Sequence, residues 1–87
     1  METMEKDWHF FIAIAEEGNM TKAANRLYIS QPALSYRLQQ LEKQFNKPLF
    51  IRTARGVTLT ETGELYYHYA LDMLYRKREF ENTLSNY

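Results

Sequence analysis
Between Met20 and Phe45 a short amphipathic segment, a three-residue break and a longer amphipathic segment follow one another, and this restricts the fold more than any other feature. In the longer segment, Leu34, Leu38, Leu41 and Phe45 recur at spacings of 4, 3 and 4, one stripe of a helix. Its start is well specified. Ser30 is a good N-cap, and Pro32 falls in the first turn, where a missing N–H is not needed. Ile29 and Leu34 match a hydrophobic staple across that start. A helix is therefore expected over Gln31 to Phe45. The shorter segment, Met20 to Leu27, places Ala23, Ala24 and Leu27 on one face, and its two small residues admit a close neighbour. Lys22 and Arg26, four apart, share a different face. The break Tyr28-Ile29-Ser30 between a short and a longer helix is the spacing of a helix-turn-helix.

The flanking segments complete a small domain. Trp8, Phe11, Ile12 and Ala15 define the apolar face of a first helix from about Met4 to Glu17, which Gly18 and Asn19 stop. Leu49-Phe50-Ile51 and Val57-Thr58-Leu59 read as short strands around the turn Ala54-Arg55-Gly56, predicting a hairpin over 50–59. Thr60 caps a fourth helix from Glu61 to Leu84, with Glu61 and Glu64 in its first turn, where the helix dipole favours acids. Along it Tyr66, Ala70, Met73, Lys77, Phe80 and Leu84 form a heptad seam with one charged member. Such a helix spans roughly 35 Å at 1.5 Å per residue, more than a domain of this size covers. The surplus apolar face calls for a partner, and a second copy of the chain is the simplest. The expected fold is mainly α: a winged helix-turn-helix with a three-helix core and a small two-stranded wing over 1–60, then a long C-terminal dimerisation helix over 61–87.

Composition excludes several classes. The 87 residues predict one domain, and 45% hydrophobic with 25% charged residues is ordinary globular composition. The absence of cysteine removes disulfide and thiolate–metal frameworks. No apolar run approaches a membrane span and no signal-peptide pattern opens the chain, so a cytoplasmic protein without membrane contact is expected. Net charge is zero, but its distribution is uneven. From Met20 to Val57, Lys22, Arg26, Arg37, Lys43, Lys47, Arg52 and Arg55 face the single acid Glu42, a balance of +6, and the remainder carries −6. A field concentrated on one segment steers a polyanion even when the whole chain is neutral.

A helix-turn-helix presents the N-terminal part of its second helix to the major groove of double-stranded DNA. With the Leu34 stripe inward, the opposite face carries Pro32, Ser35, Tyr36, Gln39 and Lys43, flanked by Gln31 and Arg37. Periodicity taken alone favours an ordinary amphipathic core helix, but this outer face is polar and nearly free of acid. Gln31, Pro32, Ser35 and Tyr36 are expected to read bases: the Gln amide pairs with adenine N6 and N7, the Ser hydroxyl donates to a base or a phosphate, and the Tyr ring meets a thymine methyl. Lys22, Arg26, Arg37 and Arg52 are expected at phosphates or flanking positions. Arg55, at the hairpin tip beside Gly56, suits a narrow minor groove. The expected dimer interface is Tyr66, Ala70, Met73, Phe80 and Leu84.

The run Ala23-Ala24-Asn25-Arg26-Leu27-Tyr28-Ile29-Ser30-Gln31-Pro32-Ala33-Leu34-Ser35 resembles the signature of LysR-type transcriptional regulators. So do Leu41-Glu42, Pro48-Leu49-Phe50, Arg52 followed by Gly56, and Leu59-Thr60 with Thr62-Gly63. Phe11 to Gly18 resembles the family's first helix, so the likeness extends from about Trp8 to Gly63. It implies a winged helix-turn-helix followed by a linker helix that pairs two subunits on an interrupted palindromic operator. It also implies that the chain is the DNA-binding fragment of a regulator whose C-terminal domain binds a small-molecule inducer; the fragment itself needs no cofactor. Thr21, Ser30, Gln31, Pro32, Ser35, Arg52 and Arg55 match family DNA-contact positions. Tyr36 stands where members often have arginine, with Arg37 one place later, and Trp8 replaces a common leucine.

An enzyme is not expected. His9 and His68 belong to no ligand-spaced cluster, and no phosphate-binding Gly loop or nucleophile motif is present. The competing expectation is a protein-interaction module in which Tyr66, Tyr69, Met73 and Phe80 of the fourth helix bind a partner unrelated to DNA.

Overall fold
Local chemistry sets each helix boundary. A computed structural model describes the backbone of residues 2–87 and the side chains of residues 7–87; Met1, the first residue of the expected 1–60 unit, lies outside them. The order is α1 (Glu2–Glu17), α2 (Met20–Leu27), α3 (Gln31–Phe45), β1 (Phe50–Thr53), β2 (Gly56–Leu59) and α4 (Glu61–Ser85). This is the expected mainly helical architecture with a two-stranded wing. Both α2 and α3 have the expected bounds, whereas α1 begins two residues earlier and α4 ends one residue later. Side-chain oxygens of Asn19, Ser30 and Thr60 accept from the backbone N–H of Lys22, Ala33 and Gly63, capping α2, α3 and α4. At the other ends, Tyr28 and Asn46 take left-handed φ of 59° and 56° and close α2 and α3. The Ile29 N–H then donates to Ala24 O, and the Lys47 N–H to Glu42 O.

The core centres on α1. Phe10, Phe11, Ile12, Ala13 and Ile14 are all buried, a wider arc than the expected stripe, because α1 packs against α2, α3, α4 and β2. Trp8 and Ala15, expected in the core, are half-buried at its edge. The Phe11 ring lies 4.9 Å from Phe50 and 4.7 Å from Tyr66, joining α1 to the wing and to α4. Burying an aromatic ring this fully contributes about 1.5–3 kcal/mol. Leu34, Leu38 and Leu41 face inward as expected, but Phe45, at the end of the stripe, is 40% exposed and only leans on Tyr66.

The wing is an antiparallel hairpin with Phe50 opposite Leu59 and Thr53 opposite Gly56. Its two-residue tip is Ala54-Arg55, and the positive φ of 132° falls on Gly56. A Cβ at Gly56 would overlap the Gly18 carbonyl oxygen, and the Val57 N–H donates to that oxygen at 3.1 Å. Glycine at position 56 thus lets β2 dock on the α1–α2 turn. At the other end, the Thr60 hydroxyl donates to Pro48 O at 2.7 Å, and a Cβ at Gly63 would overlap Leu49 O.

The expected dimer seam requires correction. Tyr66 and Ala70 are buried within the monomer, Tyr66 against Phe11 and Phe45, so neither is available to a second copy. Met73 is half-buried, and only Phe80 and Leu84 are open, at 65% and 57% exposure. The heptad pattern continues through both stretches because one helix face first covers α1 and then leaves the body. The protein measures 49 × 26 × 22 Å, long in one direction because α4 runs past its own core. Among the described residues no helix is long and apolar enough to cross a membrane.

Candidate nucleic-acid interface
The N-cap and the Leu stripe orient α3 so that its opposite face is open. Gln31, Pro32, Tyr36, Gln39 and Lys43 are exposed, Tyr36 by 62%, and Ser35 is half-buried. Thr21, Lys22 and Ser30 are also exposed, near the starts of α2 and α3. The structure thus brings Ser30, Gln31, Pro32, Ser35 and Tyr36 together on the first two turns of α3.

The wing joins this surface through side chains that periodicity does not reveal. Arg52 of β1 donates from Nη2 to the Ser35 Oγ at 3.3 Å. Pro32, Ser35, Tyr36, Gln39, Glu42 and Arg52 line an open cleft of about 510 Å³ between α3 and β1. Arg55 is exposed at the tip, where its N–H donates to Thr53 Oγ1 at 3.2 Å.

Not every cation in the basic segment is free. Arg26 pairs with Glu16 at 2.8 Å and Glu17 at 3.3 Å across the α1–α2 junction, and the Glu16 hydrogen bond leads the causes that raise its pKa. Arg37 lies 3.8 Å from Asp7 and 4.6 Å over the Phe10 ring. Burial pushes the Asp7 carboxyl above its usual range, and the Arg37 charge opposes that shift without cancelling it. The +6 read along the chain is therefore partly answered by acids of α1. Among the described residues Lys22, Lys43, Lys47, Arg52 and Arg55 have no ion-pair partner. Glu42, the one acid of the basic segment, is also engaged: its Oε2 accepts from the N–H of Leu49 at 2.7 Å and of Phe50 at 3.3 Å.

Sequence reasoning missed Asp7, Phe10 and Glu42 as organisers of this surface. An isolated acid inside a basic run was the available signal for Glu42. Nothing comparable marked Asp7, which reaches Arg37 only because α1 crosses α3. His9 and His68 are exposed, and the described residues contain no cluster of three or more metal-ligating side chains.

Residues 6–64, well over half of the chain, match the model of the family described as bacterial regulatory helix-turn-helix protein, lysR family. The chain belongs to the lysR family. It is 45% identical over 78 residues to the uncharacterized HTH-type transcriptional regulator YkuM of Bacillus subtilis (strain 168), covering 88% of this chain and 27% of YkuM. The chain thus spans about a quarter of the length of such curated relatives. Among solved structures, this lysR-family chain is similar to BenM DBD in complex with catB site 1 DNA. The TM-score is 0.87 at 33% identity, covering 94% of this chain and 92% of that one. It is also similar to CbnR DBD in a DNA complex, with a TM-score of 0.82 at 34% identity over 94% and 95% of the two chains.

Proposed function
We propose that this chain is the sequence-specific DNA-binding part of a transcriptional regulator and acts on double-stranded DNA as a homodimer. One observation carries the reading: the only acid of α3, Glu42, has an oxygen bound to the Leu49 and Phe50 amides, and the exposed outer face of the helix is flanked by the wing cations Arg52 and Arg55, which have no ion-pair partner among the described residues. The DNA-bound state of the BenM and CbnR relatives supports it. In this reading the first two turns of α3 enter the major groove, and Gln31, Pro32, Ser35 and Tyr36 meet base edges. Thr21, Lys22, Ser30 and Arg52 meet phosphates, and Arg55 reaches the adjacent minor groove. Arg26 and Arg37 act from the flanks, already tied to α1.

One α3 covers a half-site, so an interrupted palindrome requires two copies. The exposed Phe80 and Leu84 on the free part of α4 favour pairing through that helix. A further domain that binds a small-molecule inducer belongs to the same proposal, consistent with relatives more than three times as long. The test is selection of a binding site from random duplexes, followed by titration at several salt concentrations. Affinity is expected to fall steeply with salt, each neutralised phosphate adding about 0.9 to the logarithmic slope. Absent or salt-insensitive binding returns the chain to a protein-interaction module.

A further inference from the structure
We infer that Ser35 and Arg52 act as one hydrogen-bond-donating clamp that accepts only an acceptor group of DNA and rejects the amino edges of adenine and cytosine. The inference rests on the DNA-binding reading above and sharpens it at one position. Arg52 Nη2 already donates to the Ser35 Oγ at 3.3 Å, using a lone pair of that hydroxyl. Ser35 has one proton, and among the described residues that proton has no acceptor. By contrast the Ser85 hydroxyl, also on a helix, spends its proton on the Glu81 carbonyl one turn back. The Ser35 proton is therefore free to leave the helix.

The neighbouring charge gives the hydroxyl its direction. A guanidinium is a donor only and always charged. An N–H group approaching Ser35 would meet that cation, whereas an oxygen or ring nitrogen would be drawn to it. Adenine N6 and cytosine N4 present N–H groups in the major groove; guanine O6 and N7, adenine N7, thymine O4 and every phosphate oxygen present acceptors. The cleft is open to solvent along Pro32, Tyr36 and Gln39. Its one acid, Glu42, is turned to the Leu49 and Phe50 amides and so holds the start of β1, the strand that carries Arg52.

The clamp predicts non-additive losses. On the duplex that the wild-type protein selects, Ser35→Ala is expected to weaken binding roughly tenfold, the value of one hydrogen bond assisted by charge. In an Arg52→Gln background the same change is expected to cost less than about twofold, because the polarising partner has gone. Ser35 is half-buried and Arg52 exposed, so each variant is expected to melt near wild type, which thermal melts check before binding is compared. Methylphosphonate replacements at single phosphates, and 7-deazaguanine or other acceptor-deleted bases at single positions, then locate the acceptor. The one replacement that abolishes the Ser35→Ala penalty names its source as backbone or base edge. Penalties that multiply in the double variant, or a Ser35→Ala penalty that survives every replacement, overturn the clamp while leaving DNA binding intact. A wild-type protein that enriches no duplex overturns the DNA-binding reading itself.

Discussion

The Glu42 carboxylate on α3 accepts a 2.7 Å hydrogen bond from the Leu49 N–H, and the same oxygen reaches the Phe50 N–H at 3.3 Å. Both amides lie where the chain turns from α3 into β1, so one side chain ties the start of the wing to the helix that carries the candidate nucleic-acid interface. Hydrogen bonds to a charged acceptor contribute about 1.5–3 kcal/mol. Glu42→Ala is expected to destabilise the fold by about that amount in urea unfolding, and Glu42→Gln by less, since an amide oxygen still accepts. Hydrogen exchange at the Leu49 amide should quicken in both variants. Unchanged exchange there would mean that the wing is held by Phe50 packing alone.

Asp7 sits beside Arg37 with a carboxyl raised by burial above its usual 3.8. Such a group binds its proton more tightly in the folded state than in the unfolded one. Its contribution to stability is fullest below the unfolded value and declines as pH rises through the folded value. Asp7→Asn removes this dependence, so the stability of the variant relative to wild type should rise as pH increases from the ordinary carboxylate value of 3.8 through the range where the raised carboxyl loses its proton. Denaturation midpoints measured across that range check the sign. A relative stability that falls instead would show the Arg37 attraction outweighing burial.

Tyr28 is 94% exposed and adopts φ 59°, a left-handed conformation between α2 and α3. A side chain there costs about 1–2 kcal/mol, against roughly 0.5–1 kcal/mol of extra chain entropy for glycine. Tyr28→Gly is therefore expected to raise stability by a few tenths to about 1 kcal/mol, and Tyr28→Val to lower it. Thermal melts of the pair decide the matter; equal shifts would show that the conformation carries little strain.

Phe80 and Tyr66 lie on one heptad seam but in different surroundings. Tyr66 is buried against Phe11, and Phe80 is exposed. Phe80→Glu should shift sedimentation towards monomer with little change in the melting of the folded body. Tyr66→Ala should instead cost about 3 kcal/mol of fold stability, as removal of a buried ring does. A dimer unaffected by Phe80→Glu would place pairing elsewhere than the free end of α4.

Much of this was readable along the chain because it depends on neighbours within a turn or two. Ser30 and Pro32 mark the start of α3, the Leu34, Leu38 and Leu41 stripe faces the core, and Gly56 follows a hairpin tip. Those features are local sterics and hydrogen bonding, and they place Gln31, Pro32 and Tyr36 on an open face. The pairing of charges was not readable in the same way. Arg26 and Arg37 look like free cations in a basic run, yet they meet Glu16, Glu17 and Asp7 once α1 crosses α2 and α3.

The break at Tyr28-Ile29-Ser30 and the two amphipathic segments around it are enough to specify the helix-turn-helix and its outward face, since periodicity and capping act over a few residues. Packing between distant segments settles the rest: Arg52 reaches Ser35, Glu42 holds the wing, and Tyr66 with Ala70 is drawn into the core, leaving Phe80 and Leu84 outside. A 3.6-residue repeat says which side of α4 is apolar. Where that side meets its own domain and where it runs free depends on the length of the body it crosses, a property of the assembled fold.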